Sequence, residues 1–155
     1  MKSWVIYIAA ALGFAIYGAS TSVDRDEAGA IVGEGSVDAF HMQVGDCFND
    51  VTSVDSISSV PGVPCSEPHD NETFAVFDVS ADNFPEGDAM GQLAYDSCLQ
   101  KFEEFVGKDY ESSSLEITTM FPSVESWNAA DREVVCAVFD MNASKLVGSA
   151  AGQGL

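Results

Sequence analysis

The chain has 155 residues, with 25 acids against 6 bases and a formal net charge of -19 at pH 7. That length fits one compact domain with appendages. That charge excludes nucleic acid as a partner and argues against docking on anionic lipid head groups, because like charge would have to be overcome in both cases. All the acids and five of the six bases follow residue 20. The plain reading is a solvated, self-repelling surface. A salty medium, or attraction of cations or of a basic partner, would also account for it.

Residues 1–20 read as a transmembrane anchor or signal peptide. Lys2 is their one charged side chain, and Trp4 to Gly18 is uninterrupted apolar or small. The run is a little short of the ~20 residues of a comfortable span, and Trp4 and Tyr17 sit near its ends, where amphipathic rings favour the membrane interface. An uncleaved single-pass anchor is preferred over a signal cleaved after Ser20, which would leave a secreted protein. Lys2 puts the N-terminus in the cytoplasm and the remainder outside the membrane.

Residues 21–39, rich in Ser, Gly, Asp and Glu, are predicted to be an acidic flexible linker. An extracytoplasmic domain follows over 40–149. Val44 to Phe48 reads as a turn into a short strand. Thr52 to Val63 reads as a short strand and loop, with a turn at Pro61-Gly62. Thr73 to Val79 carries apolar residues on both faces and is predicted to be a central strand.

Met90, Leu93, Ala94, Cys98, Phe102, Phe105 and Val106 recur at spacings of three and four, which predicts a helix over 89–106, with Asp88 as its N-cap and Gly107 as its stop. Leu115 to Met120 is a strand, Ser126 to Asp131 a loop closing on a tight turn, and Arg132 to Met141 the last strand. Ala137 to Met141 nearly repeats Ala75 to Val79, as two neighbouring strands of similar burial would. The Gly- and Ala-rich end, with residues 150–155 as a flexible tail, is predicted to fray. The fold class is α+β: a small disulfide-stapled antiparallel sheet with one main helix.

Cys47, Cys65, Cys98 and Cys136 all follow the apolar segment. An even count beyond an export segment reads as a disulfide framework. Three pairings exist. Cys47–Cys65 with Cys98–Cys136 is preferred, the first closing a local loop and the second tying the helix to the last strand. Zinc is a poor alternative, because there is no Cys-x-x-Cys pair and the spacings are wide.

These residues form a recognisable pattern. Val44-Gly45-Asp46-Cys47-Phe48, the run Val63 to Glu72 with Cys-x-x-Pro-His-Asp, a helix carrying Cys98, Pro122 with Ser126-Trp127, Asp131-Arg132 leading to Cys136, and Leu146 to Ser149 cover nearly all of residues 42–149. In this the chain resembles the bacterial septum-formation domain family, whose members are mostly membrane-anchored or exported. Ala130 stands where glycine is expected before Asp-Arg, and the usual basic residue after Gly148-Ser149 is missing. The resemblance implies a link to division-septum formation and no enzymatic activity.

Two clusters are candidate binding sites. His69, flanked by Glu67, Asp70 and Glu72, could orient an imidazole for acid–base work or ligate a divalent cation. It has no zinc-motif spacing and no partnered nucleophile. The preferred reading is a structural corner in which Pro68 fixes the turn, His69 packs across it and Asp70 caps it. If the chain is a non-catalytic binding or scaffold domain, His69→Ala leaves the fold intact while any partner pull-down is weakened or unchanged. Trp127, Asp131 and Arg132 could recognise a glycan or peptide, or could be a core Trp beside a braced turn. Arginine is scarce here, so Arg132 is expected to have a carboxylate partner, Asp131 or Asp70. No catalytic residue, metal ligand or cofactor is assigned. The function expected is a non-catalytic binding or scaffold module of the cell envelope, anchored in the membrane, with an envelope protein or cell-wall partner. The alternative is a cation-binding or metal-dependent hydrolytic enzyme centred on His69.

Overall fold

Two long strands, Asn71–Asp78 (β6) and Glu133–Asp140 (β8), form the centre of the sheet. Their β-branched and aromatic residues point to both faces, and both faces are covered. The computed structural model describes residues 22–51 and 57–155. The predicted membrane or signal segment at 1–20 and part of the Thr52–Val63 stretch lie outside the described residues. Among the described residues no helix is long and apolar enough to cross a membrane.

In chain order the remaining elements are Asp24–Arg25 (β1), Ile31–Gly33 (β2), Gly35–Asp38 (β3), Cys47–Phe48 (β4), Ser59–Val63 (β5), Ala89–Val106 (α1), Leu115–Met120 (β7) and Val124–Asn128 (α2), with a 3-10 turn at Tyr110–Ser112. The main sheet is antiparallel in the order β3-β5-β4-β6-β8-β7, and β1 and β2 form a separate ribbon. The α+β class, the single main helix and both preferred disulfides, Cys47–Cys65 and Cys98–Cys136, are present.

The α1 helix lies on one face of the sheet. It buries Met90, Ala94, Cys98, Phe102 and Val106, with Leu93 and Phe105 packed partly buried beside them. Gly107 ends it in the left-handed region, at φ 81°. Asp88 makes no side-chain cap, contrary to expectation, because its backbone lies near φ -83°, ψ 1° rather than extended. The pairing of β6 with β8 skips Phe74, a bulge that turns this ring into the α1 core against Phe102 and Phe105. The other face carries a smaller core of Ile31, Val37, Met42, Phe48, Val60, Val135 and Ala137.

Four expectations need correction. Residues 24–38 are not a flexible linker: they form β1 to β3, β3 pairs with β5, and Ile31 and Val37 are buried. Arg25 anchors this segment through a two-pronged bond to the buried Asp46, at 2.5 and 2.8 Å. Pro61-Gly62 is not a turn but lies inside β5. A Cβ on Gly62 would fall 2.5 Å from Val37 and 2.8 Å from Val23, so the glycine lets the N-terminal segment close on the sheet.

The Ser126 region is not a loop but the short helix α2, held by a capping box in which Ser123 and Ser126 bond each other's backbone. The C-terminal tail does not fray. Ala150 is buried, and the Gly152 and Gly154 amides donate to the carbonyls of Phe105 and Val106, which the end of α1 leaves open.

Candidate functional site

The two predicted clusters lie apart. Asn71 at the start of β6 pairs with Phe139, while Asp78 at its end pairs with Glu133. At about 3.4 Å per residue the two ends of this ladder are some 24 Å apart. Glu67, His69 and Asp70 stand at one end, and Trp127, Asp131 and Arg132 at the other. Asp70 therefore cannot be the partner of Arg132.

At the first end the chain is clamped from three sides. Cys65 is bonded to Cys47. The His69 backbone exchanges two hydrogen bonds with Leu146, at 3.0 and 2.8 Å. The His69 ring is fully buried and its Nδ1 lies 2.8 Å from the Glu67 carbonyl oxygen. A carbonyl only accepts, so Nδ1 carries a proton and donates it to that bond. Nε2 is buried without a partner. A base so enclosed reaches no substrate, which removes the acid–base role considered for His69.

Glu67 is exposed and contributes its carbonyl. Glu72 is fully buried on the α1 side, where it accepts bonds from Ser149 Oγ and the Ala150 amide, at 2.5 and 2.6 Å. Among the described residues the carboxylates around His69 do not converge on one point. Among the described residues the one grouping of three ligand-type atoms within 4.8 Å is Cys47, Cys65 and Glu72. Its sulfurs are bonded to each other, so a single carboxylate is left.

Asp70 points away from that core into a cleft of about 250 Å³ lined also by Asp50, Asn71, Thr118, Phe139 and Asp140. Asp70 accepts from the Asp50 amide at 2.9 Å and pairs with Lys145 at 2.8 Å. Burial pushes the Asp70 carboxyl up, but the bonds from Lys145 and the Asp50 amide outweigh it and hold the carboxyl below its ordinary value. Asp50 accepts from Asn71 Nδ2 at 2.7 Å, and Asp140 from the Asn142 amide at 2.8 Å. Three aspartates thus line the cleft while Lys145 pairs with one of them, and the cleft carries an excess of negative charge suited to a cationic group.

At the second end Trp127 is buried, with Phe84 edge-on at 5.6 Å. The Arg132 guanidinium covers the indole face at 3.5 Å and donates to the carbonyl oxygens of Trp127 and Asp131. It has no carboxylate partner among the described residues, against expectation, because stacking and two carbonyls use its donors. The covered indole has no open face for a sugar ring. Asp131 accepts from the Glu133 amide, bracing the turn into β8. Burial, then the charges of Asp131 and Asp78, push the Glu133 carboxyl up, and its Oε1 is buried without a partner.

Nothing local in the sequence singles out Asp50 or Asp140 beside Lys145. Lys145 had a usable signal: in a chain with six bases, a lone lysine just past the last strand is worth pairing. The two aspartates had none, since Asp50 and Asp140 meet only through the sheet. Residues 38–153 match the family model described as septum formation. No curated protein and no solved structure matches the chain.

Proposed function

Because the chain belongs to the septum-formation family, we propose that it is an anchored interaction module of the cell envelope that recognises a basic segment of a partner protein at the Asp50–Asp70–Asp140 cleft. Domains of this family are non-catalytic, and the chain is not an enzyme. The apolar run Trp4 to Gly18 supports a single membrane-spanning anchor with the domain on the outer side. Two disulfides fit an oxidising compartment.

The observation that carries the reading is the cleft itself. It sits on a corner fixed by a disulfide and a two-way backbone bridge, so its carboxylates are held in place before a partner arrives. A preorganised site loses less entropy on binding than a mobile one.

The test is photo-crosslinking from position Asn71 in native membranes, followed by identification of the captured protein. A captured protein whose yield falls with salt and in Asp50→Asn/Asp140→Asn supports the reading. Capture indifferent to both, or none, sinks it. Calorimetric titration with zinc, calcium and manganese addresses the cation-binding alternative. Metal uptake lost in the same double variant would replace the peptide reading with that one.

A further inference from the structure

We propose that the outer edge of β7 pairs with an extended segment of a partner protein, which lays a further strand on the sheet and sets an apolar side chain into the cleft between α1 and Phe121. This rests on the interaction-module reading and gives it a second surface.

The register of β7 against β8 runs from Leu115↔Asp140 to Met120↔Val135, and the Met141 amide donates to the Ser114 carbonyl at 3.1 Å. Antiparallel ladders alternate, so Glu116, Thr118 and Met120 exchange bonds with β8 while Leu115, Ile117 and Thr119 turn their amides and carbonyls outward. The Leu115 amide is already taken by Ser113 Oγ at 3.0 Å. Ile117 and Thr119 keep theirs for an outside partner among the described residues.

The opposite edge is different. There the chain's own Ser22 and Val23 lie beside Ser36 of β3 and cover it. Sheets blunt an open edge with proline, lysine or a bulge. β7 has none of these. Its single charge, Glu116, is held by the Tyr110 hydroxyl at 2.6 Å.

Beside this edge is a cleft of about 370 Å³ lined by Phe84, Met90, Gly91, Tyr95 and Phe121. Phe121 continues the line of β7 and is 44% exposed. Its ring lies 3.4 Å from where a Cβ on Gly91 would stand. Main-chain bonds along an edge with a side-chain pocket beside it are the two parts of strand addition. Asp88 on the cleft rim and Glu116 on the strand, within a chain of net charge -19, select basic residues on either side of the apolar one.

The probe is the blocked heptapeptide Lys-Thr-Val-Leu-Val-Thr-Lys, added to the full chain and followed by backbone amide exchange. Exchange at Ile117 and Thr119 is expected to slow at least about tenfold, as for amides drawn into a ladder. Thr119→Pro removes one outward amide, which an edge strand tolerates, and should weaken binding about tenfold. A peptide N-methylated at alternate positions should fail to bind, and this comparison decides the matter if the proline variant does not fold.

No protection at millimolar peptide, protection confined to the Asp70 cleft, or equal binding by the N-methylated peptide overturns the proposal. If the partner captured from Asn71 still binds Thr119→Pro with unchanged affinity, the edge proposal falls and the module reading stands. If no partner is captured and the peptide does not bind, both fall.

Discussion

Ala130 holds a φ of 72°, a left-handed conformation that costs an L-residue about 1–2 kcal/mol. The turn into β8 needs that conformation and keeps it without the glycine expected there. Ala130→Gly should therefore stabilise the protein by about 0.5–1 kcal/mol in urea titration, the relief being partly offset by a looser unfolded chain. His69 gives the opposite lesson. The corner is the reading preferred from the sequence, and the ring is fully buried, so His69→Ala should cost about 3 kcal/mol by cavity and lost hydrogen bond rather than leave the fold intact. A cooperative thermal unfolding curve unchanged in that variant would contradict the assignment. Glu133 carries a pH signature. Burial, Asp131 and Asp78 raise its folded pKa above the unfolded value, with Asp38 adding to this and His41 opposing it. The folded state then holds its proton more tightly, and stability is lost as pH rises through the folded pKa. Glu133→Gln should stabilise near neutral pH by less than about 1 kcal/mol, since the group is only partly buried, and the gain should vanish once pH falls below the ordinary carboxylate range.

Among the elements, α1 was legible to the residue because its apolar spacing, its length and its terminal glycine all agree. The segment carrying β1 to β3 was not. Its strands are two to four residues long, too short to show a period, and its polar composition imitates a linker. Its place in the fold depends on remote contacts: Val37 over Gly62, and Arg25 on Asp46. Arginine scarcity pointed to an ion pair, but the pair formed at Arg25, in the stretch read as a tether, and not at Arg132. Arg25→Ala leaves the buried Asp46 with the Gln43 amide as its remaining bond and should cost about 2–3 kcal/mol. Hydrogen exchange should then open β3 and β5 before β6 and β8. The Asp70 cleft was half legible for a related reason. Its corner is local in sequence, but Asp50, Asp140 and Lys145 arrive from elsewhere, and only the sheet register brings them together.

For the whole molecule, the two disulfides divide the work. Cys47–Cys65 closes 18 residues around the corner, and Cys98–Cys136 closes 38 and ties α1 to β8. In the chain-entropy model their removal costs about 3 and 4 kcal/mol. Thermal unfolding of Cys47→Ala/Cys65→Ala and of Cys98→Ala/Cys136→Ala should show the larger drop in the second. Under the proposed anchor, the folded N-terminal segment would also set the reach of the domain. Residues 21–39, as a free coil, would let it wander about 20–25 Å from the membrane. Ser22 is already bridged to Ser36, so from Gly18, where the apolar run of the proposed 1–20 anchor stops, the four Cα steps to the domain span at most about 14 Å. A domain held by the proposed anchor would patrol a thin layer above the lipid. Partners within that layer meet it at high effective concentration, and those beyond it are out of range.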